Sequence, residues 1–468
     1  MSDNLRLERI RVNKLFDRFN YDIDLNNGFD VGILIAPNGC GKTTIFNLVS
    51  FIFNPSFLRY RNIVNVPFDF CECTLSNKKV VTLWRKTSPL EESKHCEDDT
   101  TMLERSRIGL KTRTRENVEL KLTVTGSTTP IDITKQIRNI LSPYDDIDLA
   151  SLDNDNFDGL DLDDMEMIDD LHPRFRMQLR YYSALNPIKE YLQKNECNLN
   201  TNYIRADRLH KQLISRDPMF YRRHGIETSD SNPLSQIQNK TKKLYKKITD
   251  EYNNLQRNMK DRLPKMYLDK KDKDAMDFPT FQKRWSTYLS NIEKYHKIGL
   301  PTSEPDILEM DKLEDAFNKK KAFLTVYLEA FESTLEPLER NYPRLKLFVD
   351  TLTRRNSITR KVFKYGEEGI VVMVGDEPLP LECLSSGEKN DFVMFYNLIF
   401  DSEKNGLVLV DEPEISLHIE WQEEYLDCLL DICKMNSLQA IIATHSPNIV
   451  NGHFELYAER GLTDADGH

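Results

Sequence analysis

"VGILIAPNGCGKTT" (Val31–Thr44) decides the fold. An apolar run, Val31 to Ile35, ends in a glycine-rich turn. "TTIFNLVSFIF" (Thr43–Phe53) then places apolar residues at helical spacing, so the order is strand, loop, helix. Gly39 and Gly41 let backbone N–H groups curl around phosphate oxygens, and the helix points its positive end at the same anions. The segment Asn38, Gly39, Cys40, Gly41, Lys42, Thr43 and Thr44 is therefore a candidate nucleotide-binding loop. Lys42 is placed to reach the β- and γ-phosphates, and the Thr43 hydroxyl to ligate Mg²⁺. Ala36 stands where the pattern GxxxxGK[ST] has its first glycine, a position that ends the strand rather than wrapping phosphate.

Three later segments belong with this loop. "GLVLVDEPEISLH" (Gly406–His418) is an apolar strand ending in two carboxylates. A buried strand delivers Asp411 at fixed depth to hold the Mg²⁺ shell, and Glu412 is placed to polarise the attacking water. "QAIIATHSPNIV" (Gln439–Val450) is another buried strand with His445 at its mouth, a candidate γ-phosphate sensor. "LSSGEKN" (Leu384–Asn390) opens a helix, so Ser385, Ser386, Gly387 and Glu388 form a second candidate phosphate-contacting turn.

Bulk properties set limits. The chain has 468 residues, long enough for two or three domains, and its net charge of −11 excludes a general polyanion binder. Contact with nucleic acid would need a local patch. Two basic clusters offer one: Lys240, Lys242, Lys243, Lys246 and Lys247 on one helix, and Arg354, Arg355, Arg360 and Lys361. They read as solvated faces, or as docking sites for an acidic ligand such as nucleic acid or a DNA-mimicking protein. The start lacks a signal pattern and no apolar run approaches the ~20 residues that span a bilayer, so no membrane association and a cytoplasmic location are expected. The eight cysteines contain no CxxC. Cys71, Cys73, His95 and Cys96 allow a zinc site, but reduced cytosolic cysteines are the simpler reading.

Short strands are expected over 5–12 and Tyr21–Leu25, and a hairpin turning at Ser76–Lys79. The acidic run Asp153–Asp170 fails the calcium-loop pattern and reads as a solvated loop. From His172 to Arg340 the pattern is helical. A narrow stripe from Leu234 to Met259, ended by Pro264, and another from Met310 to Leu335 predict a short coiled-coil-like arm. The expected organisation is an N-terminal half of an α/β nucleotide-binding head (1–170), a helical insert (171–356) and a C-terminal half (357–468), with mixed β-sheets and flanking helices.

The ordered set resembles the P-loop ATPases of the ABC type, whose signature is a close relative of LSGGE; Ser386 replaces its first glycine. The resemblance implies ATP and Mg²⁺, and two copies pairing head to tail, with Ser385 of one capping the ATP of the other. It also implies assembly into a higher homo-oligomer. "DEPEISLH" and "ATHSP" are similar to the OLD-like group, whose full-length members carry a Toprim nuclease. Only 23 residues follow His445, so an ATPase with no nuclease active site of its own is expected. Stand-alone ATPases of this pattern resemble the subunits of two-gene bacterial antiphage systems. The PARIS kind implies a sensor and scaffold that holds a Toprim nuclease acting on tRNA until a phage anti-restriction protein arrives. The Septu kind implies a scaffold for an HNH nuclease. A DNA-repair ATPase acting directly on nucleic acid is the alternative from another class.

Overall fold

The computed structural model describes residues 5–89, 116–141, 185–205, 233–269, 275–302 and 310–464, apart from 27, 36, 38, 128 and 418. The acidic run 153–170, His95, Cys96 and Arg208, which is expected to end a strand and to form a core or interface salt bridge, lie outside the described residues. Two compact units divide the chain, 1–226 with 400–468, and 227–399.

In the first unit, β3 (Val31–Ile35), β8 (Thr201–Ile204), β12 (Leu407–Asp411) and β13 (Gln439–Thr444) form a parallel sheet in the order β3-β13-β12-β8. Both β12 and β13 are buried along their whole length. A strand covered on both faces reads as an unbroken apolar run, which is why LVLV and AIIA show no alternation. Strand β8 lies inside the stretch whose pattern is helical, at the place where "YIRADRLH" (Tyr203–His210) leads one to expect a short strand.

A second, antiparallel sheet orders β14-β2-β1-β4-β5-β6-β7. Its strands are β1 (Leu7–Leu15), β2 (Phe19–Asp24), β4 (Phe70–Leu75), β5 (Val80–Pro89), β6 (Glu116–Val124), β7 (Ile131–Asp132) and β14 (Glu459–Asp464). Alternation is clean here, as in β4, where Cys71, Cys73 and Leu75 are buried and their neighbours half-exposed. The helix Lys42–Phe53 shares one core with both sheets, burying Ile45, Phe46, Val49 and Ile52. Gln439 ties the sheets together: its side chain accepts from the Leu7 amide and donates to the Leu7 carbonyl, both at 2.8 Å.

In the second unit, the helix Pro233–Asp269 runs for 37 residues, about 55 Å at 1.5 Å per residue. Its stripe buries Leu234, Ile237, Thr241 and Ile248. The helix does not stop at Pro264 as expected but passes through it to Asp269. A proline removes one ladder hydrogen bond, and the surrounding residues are mostly exposed, so water can take the freed carbonyl. The second stripe is carried by two helices, Met310–Lys319 and Lys321–Ser333, broken at Lys320. Phe281, from the helix Phe278–Lys297, packs with Leu313, Phe317 and Leu328, its ring 4.6 Å from that of Phe317.

The same unit holds the helix Glu336–Arg355, a three-stranded sheet and the helix Ser386–Tyr396. The sheet orders β11 (Glu377–Leu379), β10 (Gly369–Val374) and β9 (Lys361–Gly366). One of the two expected basic clusters does not form an open face. Arg355 is fully buried, 3.1 Å from Asp391 and stacked 4.8 Å from the Phe395 ring. Lys361 is paired with Glu388 at 2.6 Å. In the other cluster Lys242 pairs with Glu368, and Lys240 lies over the Tyr396 ring.

Candidate functional site

The first unit gathers most of the candidate residues at the carboxyl ends of β3, β13 and β12. Because β13 lies between the other two, the loop after β3, His445 after β13 and the acidic pair ending β12 become neighbours. The carboxyl edge of a parallel sheet is where such folds bind their ligands. Asn38 lies outside the described residues.

Gly39 and Gly41 both have positive φ, 83° and 88°. A Cβ at Gly41 would come within 2.7 Å of Leu15 and 2.9 Å of Phe16, so both conformation and space require glycine there. A Cβ at Gly39 would meet nothing, which leaves the cradle open for a ligand. A cleft of about 220 Å³ is lined by Phe16, Gly39, Gly41, Lys42, Thr43 and Glu412. Lys42 is buried, and its ammonium lies 3.4 Å from the Pro37 carbonyl. Tyr21 donates to the Cys40 carbonyl and steadies the turn from below. Thr44 is half-exposed on the first turn of the helix.

Across the cleft, Asp411 is buried, and its Oδ2 accepts from the Thr43 hydroxyl at 2.7 Å and from Tyr203 at 3.2 Å. Its Oδ1 is buried with no hydrogen-bond partner among the described residues. Burial pushes the Asp411 carboxyl above its ordinary value; Thr43, Tyr203 and Lys42 pull it back, and Glu414 adds repulsion. The Thr43 hydroxyl and the Asp411 carboxylate, with its Oδ1 unpartnered among the described residues, are hard-oxygen donors that suit Mg²⁺. The same surroundings raise Tyr203, first through burial and then through the Asp411 charge, so it stays a donor. Glu412 sits in the left-handed region at φ 43°, its amide donating to the Ala443 carbonyl at 2.8 Å. A non-glycine residue there is strained by roughly 1–2 kcal/mol.

His445 lies with its Nδ1 3.0 Å from Glu414 and 3.9 Å from Glu412. Tyr203, Glu414 and Phe16 were missed by sequence reasoning. Glu414 lies within Gly406–His418, but only the fold shows that it meets His445. Phe16 and Asp17, both at positive φ, turn β1 into β2 and leave the Phe16 ring partly exposed beside the loop.

The signature residues lie in the second unit. Ser385 caps the helix Ser386–Tyr396 in a reciprocal box: its hydroxyl accepts from the Glu388 amide at 3.3 Å, and Glu388 accepts from the Ser385 amide at 2.7 Å. Burial works against the Glu388 charge, but Lys361 and the Ser385 amide outweigh it and hold the carboxyl below its ordinary value. Ser386 and Gly387 form the first turn of the same helix.

A family model described as an AAA ATPase domain, AAA_15, matches residues 14–450. The chain belongs to this ATPase family. The family implies ATP as substrate with Mg²⁺, in agreement with the fit of Thr43 and Asp411 to the ion. Among solved structures, the AAA_15 chain is similar to the Smc head domain with an extended coiled coil, bound to the C-terminal domain of ScpA, from Pyrococcus furiosus. That match has 11% identity, a TM-score of 0.37, and coverage of 99% of this chain and 97% of that one. It is also similar to an SmcHead bound to the C-winged helix domain of ScpA, with 11% identity, a TM-score of 0.33 and 98% of each chain covered. No curated protein matches the chain. No helix among the described residues is long and apolar enough to cross a membrane, and no group of three or more His, Cys, Asp or Glu among them could hold a metal ion.

Proposed function

We propose that this AAA_15 ATPase hydrolyses ATP with Glu412 as the base that takes the proton of the attacking water and His445 as the group that meets the γ-phosphate. The amides of Gly39, Cys40 and Gly41 hold the phosphate oxygens, with Asn38, Thr43 and Thr44 completing the loop, and Lys42 places its charge on the β- and γ-phosphates. Phe16 lines the same cleft and would pack against the bound nucleotide. Mg²⁺, when bound, neutralises charge on the triphosphate, and Thr43 and Asp411 would hold it. The observation that carries this reading is the meeting of Lys42, Thr43 and Glu412 around one cleft, with Asp411 bonded to Thr43 at 2.7 Å.

Two copies pairing head to tail, as part of a larger homo-oligomer, would let Ser385, Ser386 and Gly387 of each cap the triphosphate of the other, with Glu388 holding the nucleotide-binding turn in shape through the Ser385 amide. The N-cap position of Ser385 supports this, because its hydroxyl proton is left to donate to an oxygen while its lone pair serves the helix. On this reading ATP binding glues copies together and hydrolysis governs release of a nuclease from a neighbouring gene, as in an antiphage defence complex triggered by an acidic, DNA-mimicking phage protein. What supports the defence role is the likeness of the sequence motifs to such systems.

Glu412→Gln should retain ATP binding, lower turnover by about 100-fold or more, and accumulate the assembled form in light scattering. Lys42→Ala should bind ATP weakly and stay unassembled. Equal turnover in Glu412→Gln and the parent would remove Glu412 from the mechanism.

A further inference from the structure

One oxygen of Glu414 serves three neighbours. Its Oε1 accepts from the Thr444 hydroxyl at 2.7 Å and from the His445 amide at 2.9 Å, and lies 3.0 Å from His445 Nδ1. Glu414 itself is buried, and its Oε2 has no hydrogen-bond partner among the described residues. The amide can only donate, so the point where these groups converge must be an acceptor. His445 Nδ1 must then bring a hydrogen to it. In a neutral imidazole, one protonated nitrogen leaves the other with the lone pair.

We propose that Glu414 is a positioning residue for the ATPase reaction, locking His445 in its Nδ1–H tautomer so that Nε2 is the nitrogen presented to substrate. The inference rests on the hydrolytic reading above. It also explains how His445 is kept off Glu412: the shorter contact, 3.0 Å against 3.9 Å, belongs to Glu414. Glu412 keeps its carboxylate for water. In that tautomer Nε2 carries the lone pair, so the half-exposed ring accepts a hydrogen at Nε2 from a water or hydroxyl beside the γ-phosphate. The arrangement parallels the carboxylates that orient metal-bound histidines, whose removal costs about 10–100-fold in activity.

The test uses the full chain labelled with ¹⁵N-histidine, without nucleotide, at a pH where free imidazole is neutral. His445→Gln identifies the signal among the nine histidines, and two-bond ¹H–¹⁵N correlations report which nitrogen carries the proton. The parent should show Nδ1–H. Glu414→Gln should keep it, because the His445 amide still draws the carboxamide oxygen to the same point. Glu414→Ala should move the ring toward Nε2–H and lower kcat by about 10–100-fold with KM for ATP little changed. A parent or Glu414→Gln ring protonated at Nε2 overturns the proposal, as does a Glu414→Ala protein in which either tautomer or kcat is unchanged. Should Glu414→Ala fail to fold, the parent and Glu414→Gln spectra decide. Absence of ATPase activity in the parent would sink the hydrolytic reading instead, and the tautomer would still be readable.

Discussion

Asp411→Asn should change stability in opposite directions depending on whether nucleotide is present. In the free protein the carboxylate is a liability: it is 2% exposed, one oxygen has no partner, and burial already disfavours its charge. Asparagine keeps an oxygen for Thr43 and Tyr203 while removing the charge. Relief of this kind at a functional site commonly adds about 0.5–2 kcal/mol. At about 2–4 °C per kcal/mol for a large domain, the free variant should melt roughly 1–8 °C above the parent. With Mg²⁺ and ATP at about 100 times Kd, the parent should gain about 2.7 kcal/mol, or roughly 5–11 °C. The variant should lose most of that gain because a carboxamide is a poor ligand for a hard cation. Melting curves of the full chain, with and without Mg²⁺-ATP, separate the two effects. A free variant melting below the parent would refute the burial argument; a full ligand-induced shift would remove Asp411 from the metal site.

Two further predictions concern the second unit. Lys361→Met should shift the acid limb of the unit's melting curve: a Glu388 held below its ordinary value stabilises the fold above a pH of about 4.3, and that contribution fades as pH falls through the lowered value. Without Lys361 the fall should begin at higher pH, and superimposable acid limbs would contradict it. Asp391→Ala leaves the Arg355 charge buried without its carboxylate, so urea unfolding should show a loss of about 3–5 kcal/mol. A loss within the scatter of surface substitutions would mean that other partners carry Arg355.

Much of the candidate site is legible in the sequence because it is local. The turn at Gly39 and Gly41, the strand ending at Asp411 and the strand ending at Thr444 each announce themselves within a dozen residues. What stayed hidden depends on contacts between distant segments. Tyr203 reaches Asp411 across 208 positions, and nothing in "TNYI" marks it. Arg355 reads as part of a solvated basic cluster, because the Asp391 that it meets in the core lies 36 residues on, in another helix. Pro264 reads as a stop because proline usually ends a helix; exposure, which no single sequence shows, decides whether water can repair the gap.

The strand order β3-β13-β12-β8 has a consequence for synthesis of the chain. The two strands made early, β3 and β8, never touch; each borders a gap that only β12 and β13 fill, after the whole of 227–399 has been made. A ribosome that has finished residue 400 therefore carries two unpaired parallel edges, and such non-local pairing closes slowly and invites association while it waits. The same interleaving means that a chain cut within the insertion leaves neither piece with a complete sheet, so each must find the other before a nucleotide pocket exists at all.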